Sequence, residues 1–423
     1  MFRHARPPRG GPTVLFVALL AVPLAACGPF GSGREATRPA PTGRATPAYL
    51  VYAGNSELGR LQVLADGGRV LRTLPSGVPS PDWRTLYVAV ASGDRTIVQA
   101  VDTASGRVRR SLEVRGRFRL PAVGIAEIPD GISADGTTLV LASAVDAPVS
   151  RFAVLSTGLD RAPMLVDLAG ELEFDALSPD GSQLYVVEHL AGGDDSYRVR
   201  RFDRATRKLA PEIIVDKRNA AETSMAGYPN TRVTDPRGIW VYTLYRNSDH
   251  GPFVHALNAA DGYAVCLDLP RQGRGDQRLA RLWALVRDRT GGRLYAVNTA
   301  LGLVAEIDAA ESTVARTASF APDRPGGGGL PAAGSVALSA DGSLLLAGGG
   351  RGVVVVSTGS LSVTGRYLDG WSVDGLVASA DGKLLHALSR ARGQLAALDP
   401  TSGAVLGQQP APDVTFLLRA TGA

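Results

Sequence analysis

A short phrase recurs through this chain: Ser-Pro/Ala-Asp-Gly, two residues, then an apolar run such as Leu-Tyr-Val. The clearest copy is Ser178-Pro179-Asp180-Gly181 ahead of Leu184-Tyr185-Val186. Others start at Ser80, Ser133, Ser339 and Ser379, and weaker ones at Asp235 and Asp288. Successive starts are therefore 53, 45, 57, 53, 51 and 40 residues apart. Repetition on this scale means that one small unit recurs and buries its faces only against its neighbours.

The residues say what the unit is. Ser or Asp opens a turn through its side chain, Pro presets φ at the second position, and Gly accepts a left-handed φ at the end. A β-rich run follows each turn. A second strand then ends in an acidic or Thr/Gly turn, as at Asp102-Thr103, Asp203-Arg204, Asp308-Ala309 and Asp399-Pro400. A third short strand follows, and a small apolar strand precedes the phrase, as in Phe174-Asp175-Ala176-Leu177 or Ser335-Val336-Ala337-Leu338. Four antiparallel strands per period is the pattern of a propeller blade.

The chain ends complete the count. Tyr49 to Leu74 reads as three strands with no innermost one before them, and Asp413 to Leu418 as a lone strand with no blade after it. Pairing the C-terminal strand with the N-terminal blade would close the ring and leave no open sheet edge. The fold predicted is an all-β β-propeller of four-stranded antiparallel blades, eight of them. Seven is the alternative if one module has merged.

The phrase, followed by strand-Asp-x-x-x-Gly, resembles the YVTN and WD40-like bacterial β-propellers over about 370 residues. The resemblance implies an architecture and no substrate. Departures are Trp83, where Gly is expected, and Gly348-Gly349-Gly350 in place of a polar strand end.

Ahead of the repeats lies a segment of another kind. Met1 to Gly11 carries Arg3, Arg6 and Arg9 and no acid, and Val14 to Ala26 is an apolar run of 13 residues interrupted only by Pro23. That is short of the roughly 20 residues a spanning helix needs, but it suits a signal-peptide core. It ends Leu24-Ala25-Ala26-Cys27, which resembles the lipobox of bacterial lipoproteins. The resemblance implies a signal peptide over 1–26 and lipidation of Cys27, hence an exported chain anchored to the outer face of the cell membrane or within the envelope. A plain secretory peptide cleaved after Ala26 would instead leave Cys27 as a thiol. Residues 28–47 are rich in Pro, Gly and Thr and lack apolar periodicity, so they read as a tether. At about 3.1 Å per residue it spans up to roughly 60 Å. The propeller occupies 48–423.

This division relocates the charge. The whole chain carries 45 Lys+Arg against 40 Asp+Glu, a formal +5. The signal removes Arg3, Arg6 and Arg9; the tether removes Arg34, Arg38, Arg44 and Glu35, leaving 39 of each sign beyond it. A neutral folded body is not expected to bind nucleic acid. With 20% charged residues and 45% hydrophobic ones, the chain is neither a charge-rich disordered one nor a membrane bundle.

Phosphate-loop, HExxH, CxxCH and GxSxG patterns are absent, and Lys208, Lys217 and Lys383 are the only lysines. Cys266, in an apolar run, reads as a buried strand residue; His255 and His386 read as strand residues as well. Trp240, Trp283 and Trp371 are expected between blades, with the channel mouth as a second possibility for Trp371.

Loop lengths point to one face. The phrase turns and the Asp-x-x-x-Gly turns are short and belong together, whereas blade-to-blade links and middle hairpin loops vary widely. Long ones are 189–197, 216–230, 245–252, 271–277 and 321–334. Function concentrates on such loops. The candidate ligand-binding cluster is His189, Asp194, Asp195, Glu222, Tyr228, Arg246, Asn247, Asp249 and His250. Its carboxylates and imidazoles suit a cation or a polar ligand, with solvated loop tips as the plain alternative. No catalytic residue, cofactor or metal is assigned. The leading expectation is a non-catalytic platform, with the membrane as one partner through lipidated Cys27 and a protein or polymer on the loop-rich face as another. A place in larger envelope machinery would look the same in sequence. The alternative is an extracytoplasmic propeller enzyme, lactonase- or cyclase-like, with its site at the channel mouth.

Overall fold

Each copy of the phrase is a turn braced by its own side chains. In Ser178 to Gln183, Ser178 Oγ donates to Asp180 Oδ1 at 2.7 Å and accepts from Gln183 N at 2.9 Å, while Asp180 Oδ1 accepts from Ser182 N at 2.9 Å. The same three bonds recur in the copies beginning at Ser80, Ser133, Ser339 and Ser379. Gly181 closes the turn at φ +65°, and at the matching position Trp83 takes φ +60°. The hydroxyl spans the loop and the carboxylate caps two donors. Either residue alone would leave main-chain groups unmet.

The structure, a computed structural model, describes residues 49–65, 68–143, 148–190, 195–219, 223–247, 251–271, 277–323 and 334–422. Cys27, Asp194, Glu222, Asp249 and His250 lie outside the described residues.

Eight four-stranded antiparallel blades form the propeller. Blade 1 is composite: Val70–Pro75, Arg60–Ala65, Tyr49–Asn55 and, innermost, the C-terminal strand Phe416–Gly422. Leu50 faces Thr421 and Gly54 faces Phe416 in this closing pair. Blades 2 and 4 to 8 follow in chain order, each with its first strand innermost. In blade 3 the innermost position is reduced to isolated bridges, Arg119 to Ala142 and Ile132 to Leu139. Between them the chain leaves the blade as a small hairpin, Ala122–Val123 paired with Ile128–Pro129. A continuous first strand before every phrase, as the repeat predicts, is therefore not found in blade 3.

Burial follows the ring. The apolar side chains gather at blade-to-blade interfaces, and all eight interfaces carry such a cluster. Blades 5 and 6 share Leu244, Val254, Trp283, Leu294 and Ala305, and blades 8 and 1 share Leu388, Leu395, Val51 and Leu64. Flat sheets bury both faces only when stacked against two neighbours, so closure is what makes each blade a stable unit. Trp283 and Trp371 pack between blades, Arg392 lying 5.3 Å over the Trp371 ring, and Trp240, partly buried, packs against the same blade 5–6 cluster and stacks on Tyr242. His255 and His386 are buried in strands of blades 5 and 8; Cys266 is only partly buried. Among the described residues, no helix is long and apolar enough to cross a membrane.

Candidate functional site

Antiparallel alternation puts the phrase turns and the Asp-x-x-x-Gly turns on one face. The middle hairpin loops and the links between blades emerge on the other. On that second face the hairpin from the blade 2–3 link lies across the axis and docks on blade 5, where Ile125 N donates to Asn230 O at 3.1 Å. The approach demands glycine: a Cβ on Gly124, at φ +70°, would stand 2.5 Å from Asn230 O. Asn230 is available because it is the extra residue of a bulge, between Pro229 opposite Tyr245 and Thr231 opposite Leu244. Its amide donates to Trp283 O at 2.6 Å. Bulges re-aim side chains near sites, and here one ties the hairpin to blades 5 and 6.

Beside the hairpin lies an open cavity of about 520 Å³ on the propeller axis. Its charged walls are Glu57, Glu127, Asp130, Asp374, Arg232 and Arg390, four acids against two bases. At its floor, Asp130 and Arg232 also line a cavity of about 240 Å³ at the opposite mouth. With Thr234, which lines both cavities too, that pair stands between the two faces at the constriction. Arg232 Nη1 is 3.4 Å from Asp130 Oδ2, its Nε donates to Thr243 Oγ1 at 2.9 Å, and its other donors reach Asp175 Oδ1 and O. Asp175 is again a bulge residue, between Phe174 opposite Val186 and Ala176 opposite Tyr185. Burial works against the Arg232 charge, but Asp175 and Asp130 outweigh it and hold the guanidinium more firmly protonated than usual.

Of the residues singled out in sequence, four meet. Tyr228 OH donates to Asp195 Oδ1, Arg246 lies 4.8 Å over the Tyr228 ring, and Asn247 Nδ2 donates to Ala226 O at 2.6 Å. Gly227 N donates to Asp195 O at 3.1 Å, so the blade 4 hairpin loop and the blade 4–5 link are laced together. Tyr228 and Asp195 are exposed at the rim, whereas Arg246 and Asn247 are half-buried and the Arg246 guanidinium covers one face of the Tyr228 ring. His189 is held apart from this group by Glu173, its Nε2 being 3.2 Å from Glu173 Oε2. That carboxylate raises the imidazole pKa above its ordinary value. His189 lines a cavity of only about 40 Å³ behind the hairpin, with Asp175, Arg232 and Tyr245.

Sequence reasoning passed over Asp130, Asp175, Arg232 and the hairpin itself. A signal existed for two of them: Asp175 is a charge set between Phe174 and Ala176-Leu177 of an inner strand, and residues 116–131 carry three glycines and two prolines between two phrases. Among the described residues, no three His, Cys, Asp or Glu side chains come together as a metal-binding group.

No family model matches the chain, and no curated relative matches it. Solved structures do. Dihydro-heme d1 dehydrogenase NirN in complex with DHE matches with a TM-score of 0.56 and 16% identity, over 90% of this chain and 77% of that one. Sqt1 of Saccharomyces cerevisiae matches at 0.51 and 12%, over 79% and 85%. The periplasmic gluconolactonase PpgL of Pseudomonas aeruginosa matches at 0.42 and 19%, over 79% and 98%. At such identities the likeness is one of fold, which hosts unrelated functions.

Proposed function

We propose that the chain is an exported lipoprotein, anchored through Cys27, whose propeller serves as a non-catalytic binding platform with its loop-rich face as the contact surface. The observation that carries this reading is the division of labour at that face. The buried cation of the axis, Arg232, is already engaged by Asp175, Asp130 and Thr243, so its donors are committed to holding the constriction. At the rim the Tyr228 and Asp195 side chains are exposed, and with half-buried Arg246 they form an aromatic, acidic and basic set open on its outer side. Aromatic and arginine side chains on a rigid rim are the residue types that dominate protein contacts. An enzyme of the propeller type would be favoured by several imidazoles converging with a carboxylate in one pocket. The His189–Glu173 pair lines a small cavity, while His255 and His386 are buried in strands of blades 5 and 8.

Two measurements test the two halves of the reading. Cross-linking in intact cells should give one adduct with the native chain and lose it in a Tyr228→Ala, Arg246→Ala variant of unchanged melting temperature. An adduct that persists in that variant removes the rim from the contact surface. Labelled palmitate should enter the native chain and not Cys27→Ser; equal labelling of both removes the anchor.

A further inference from the structure

Blade 4 and blade 5 meet at a place where three soft donors converge. His255, on the third strand of blade 5, pairs directly with Cys266 on the fourth. Met225 belongs to the short strand Met225–Ala226, which adds to the blade 4 sheet beside Tyr197. Cys266 Sγ lies 3.6 Å from Met225 Sδ and 3.6 Å from His255 Nδ1. His255 is 1% exposed and Met225 5%, and the imidazole also meets the Tyr245 ring edge-on at 6.2 Å. The far nitrogen of the ring, Nε2, is buried with no hydrogen-bond partner, and its near nitrogen faces the sulfur.

The spacing suits one ion shared by the donors. With bonds of about 2.0–2.3 Å, each of the two 3.6 Å pairs that Cys266 makes subtends about 103–114° at a shared centre, close to tetrahedral. In the metal-free protein the thiol gives its proton toward the thioether and its sulfur faces the imidazole nitrogen, so hydrogen bonds hold the three side chains together; loss of the thiol proton turns the same sulfur into a metal ligand beside two further donors. The donor types then select the metal. Thiolate and thioether sulfur favour copper(I), while a thioether is a poor ligand for zinc. A single His and no carboxylate in direct contact leave the set short of what copper(II) or zinc sites use. Cys266 keeps partial exposure, so an ion has a way in past Arg218, which donates to Cys266 O and pairs with Asp216 at 3.0 Å.

We propose that Met225, His255 and Cys266 form a copper(I) site between blades 4 and 5, distinct from the axial cavity and the rim. Binding exchanges the Cys266 S–H proton, released to solvent, for a Cu–S bond, and no electron moves. A fourth position remains open to a small ligand or a transferring thiol.

The full chain, reduced and kept free of oxygen, is titrated with copper(I) supplied as its bathocuproine disulfonate complex. The native protein should withdraw one ion per chain more than Cys266→Ser, with Met225→Leu holding it at least about tenfold more weakly. X-ray absorption of the loaded protein should show two sulfur neighbours and one nitrogen. Equal uptake by native chain and Cys266→Ser, or an unchanged affinity in Met225→Leu, overturns the site. A second measurement needs no variant: copper(I) should protect Cys266 from iodoacetamide, read on the Cys266 peptide by mass spectrometry. Alkylation at the same rate with and without the metal overturns the proposal too.

Discussion

Arg60 and Asp413 stand 353 positions apart in the chain, and their side chains meet at 2.7 Å. Beside them Asn55 Nδ2 donates to Asp413 O, also at 2.7 Å, and Thr415 N donates to Gly54 O at 2.8 Å. These contacts lock the register in which the last strand becomes the first strand of blade 1. The ion pair itself is largely exposed and contributes little; median values for such pairs are about 0–1 kcal/mol. What holds the closure is apolar: Val51, Leu64, Leu388, Leu395 and Val414 in one cluster.

The two contributions separate by mutation. Asp413→Ala should lower unfolding free energy by no more than about 1 kcal/mol. Leu64→Ala, at 2% exposure in the closing cluster, should cost about 2–5 kcal/mol. Ending the chain after residue 412 removes the innermost strand of blade 1, and calorimetry should then show loss of the single cooperative transition. Retention of native melting after that truncation would mean that blade 1 stands on three strands.

Trp83 poses a conflict whose sign can be predicted. Its φ of +60° costs of the order of 1 kcal/mol for a residue with a Cβ. Against that, its ring packs 4.9 Å from Tyr52 and carries Arg419 at 5.1 Å. Large aromatic side chains contribute about 3–5 kcal/mol on truncation when buried, and Trp83 is part-buried, so the packing should win. Trp83→Gly is therefore expected to destabilise by about 1–3 kcal/mol, although it restores the consensus turn. Urea unfolding at constant m-value reads the difference.

Arg232 and Asp175 are a buried pair, and burial makes their removal asymmetric. Arg232→Met strands the Asp175 carboxylate in the ring interior and should cost about 3–5 kcal/mol. Adding Asp175→Asn removes the orphaned charge and should recover a large part of that loss. A double variant no more stable than Arg232→Met would show that Thr243 and Asp130, not Asp175, are the partners that matter.

These residues also show what kind of information one chain carries. The ring was readable because each turn is stabilised within a few residues, as in Ser178, Asp180 and Gly181, and local chemistry leaves a local pattern. Closure was readable because the two ends of the chain were each incomplete in a complementary way. Four of the rim residues, Asp195, Tyr228, Arg246 and Asn247, lie in or beside loops the sequence singled out, although Tyr228 and Arg246 prove to be the paired end residues of two strands of blade 5. The axis was harder. Asp130, Asp175 and Arg232 come from the hairpin and from two blades, and two bulges, at Asp175 and Asn230, decide where they point. A bulge has no signature strong enough to find in a single sequence. Met225, His255 and Cys266 escaped for a related reason: a thioether in a linker does not announce itself beside a strand pair until the fold places it there.

Acid should unfold this protein through its turns. Asp82, Asp102, Asp180, Asp341, Asp381 and Asp399 are held below the ordinary Asp range by the hydrogen bonds of their turns, and Asp203 first by Gln183 of the neighbouring strand and then by Thr206 of its turn; Asp203, Asp341 and Asp381 are pulled down to about 2. The folded state thus keeps these carboxylates ionised at a pH where the unfolded chain has already taken up protons. Their stabilisation is complete above pH ~4 and is lost as pH falls toward 2. His255 acts in an adjoining window. Burial pushes its pKa down to about 4, so in the metal-free protein stability also declines from pH ~6.5 to 4, where only the unfolded chain protonates that ring. The urea midpoint should therefore fall in two stages on acidification. Replacing Asp341 and Asp381 with Asn should flatten the stage between pH 4 and 2 and leave the upper stage unchanged. An acid limb of native steepness in that double variant would move the proton-linked unfolding away from the turns.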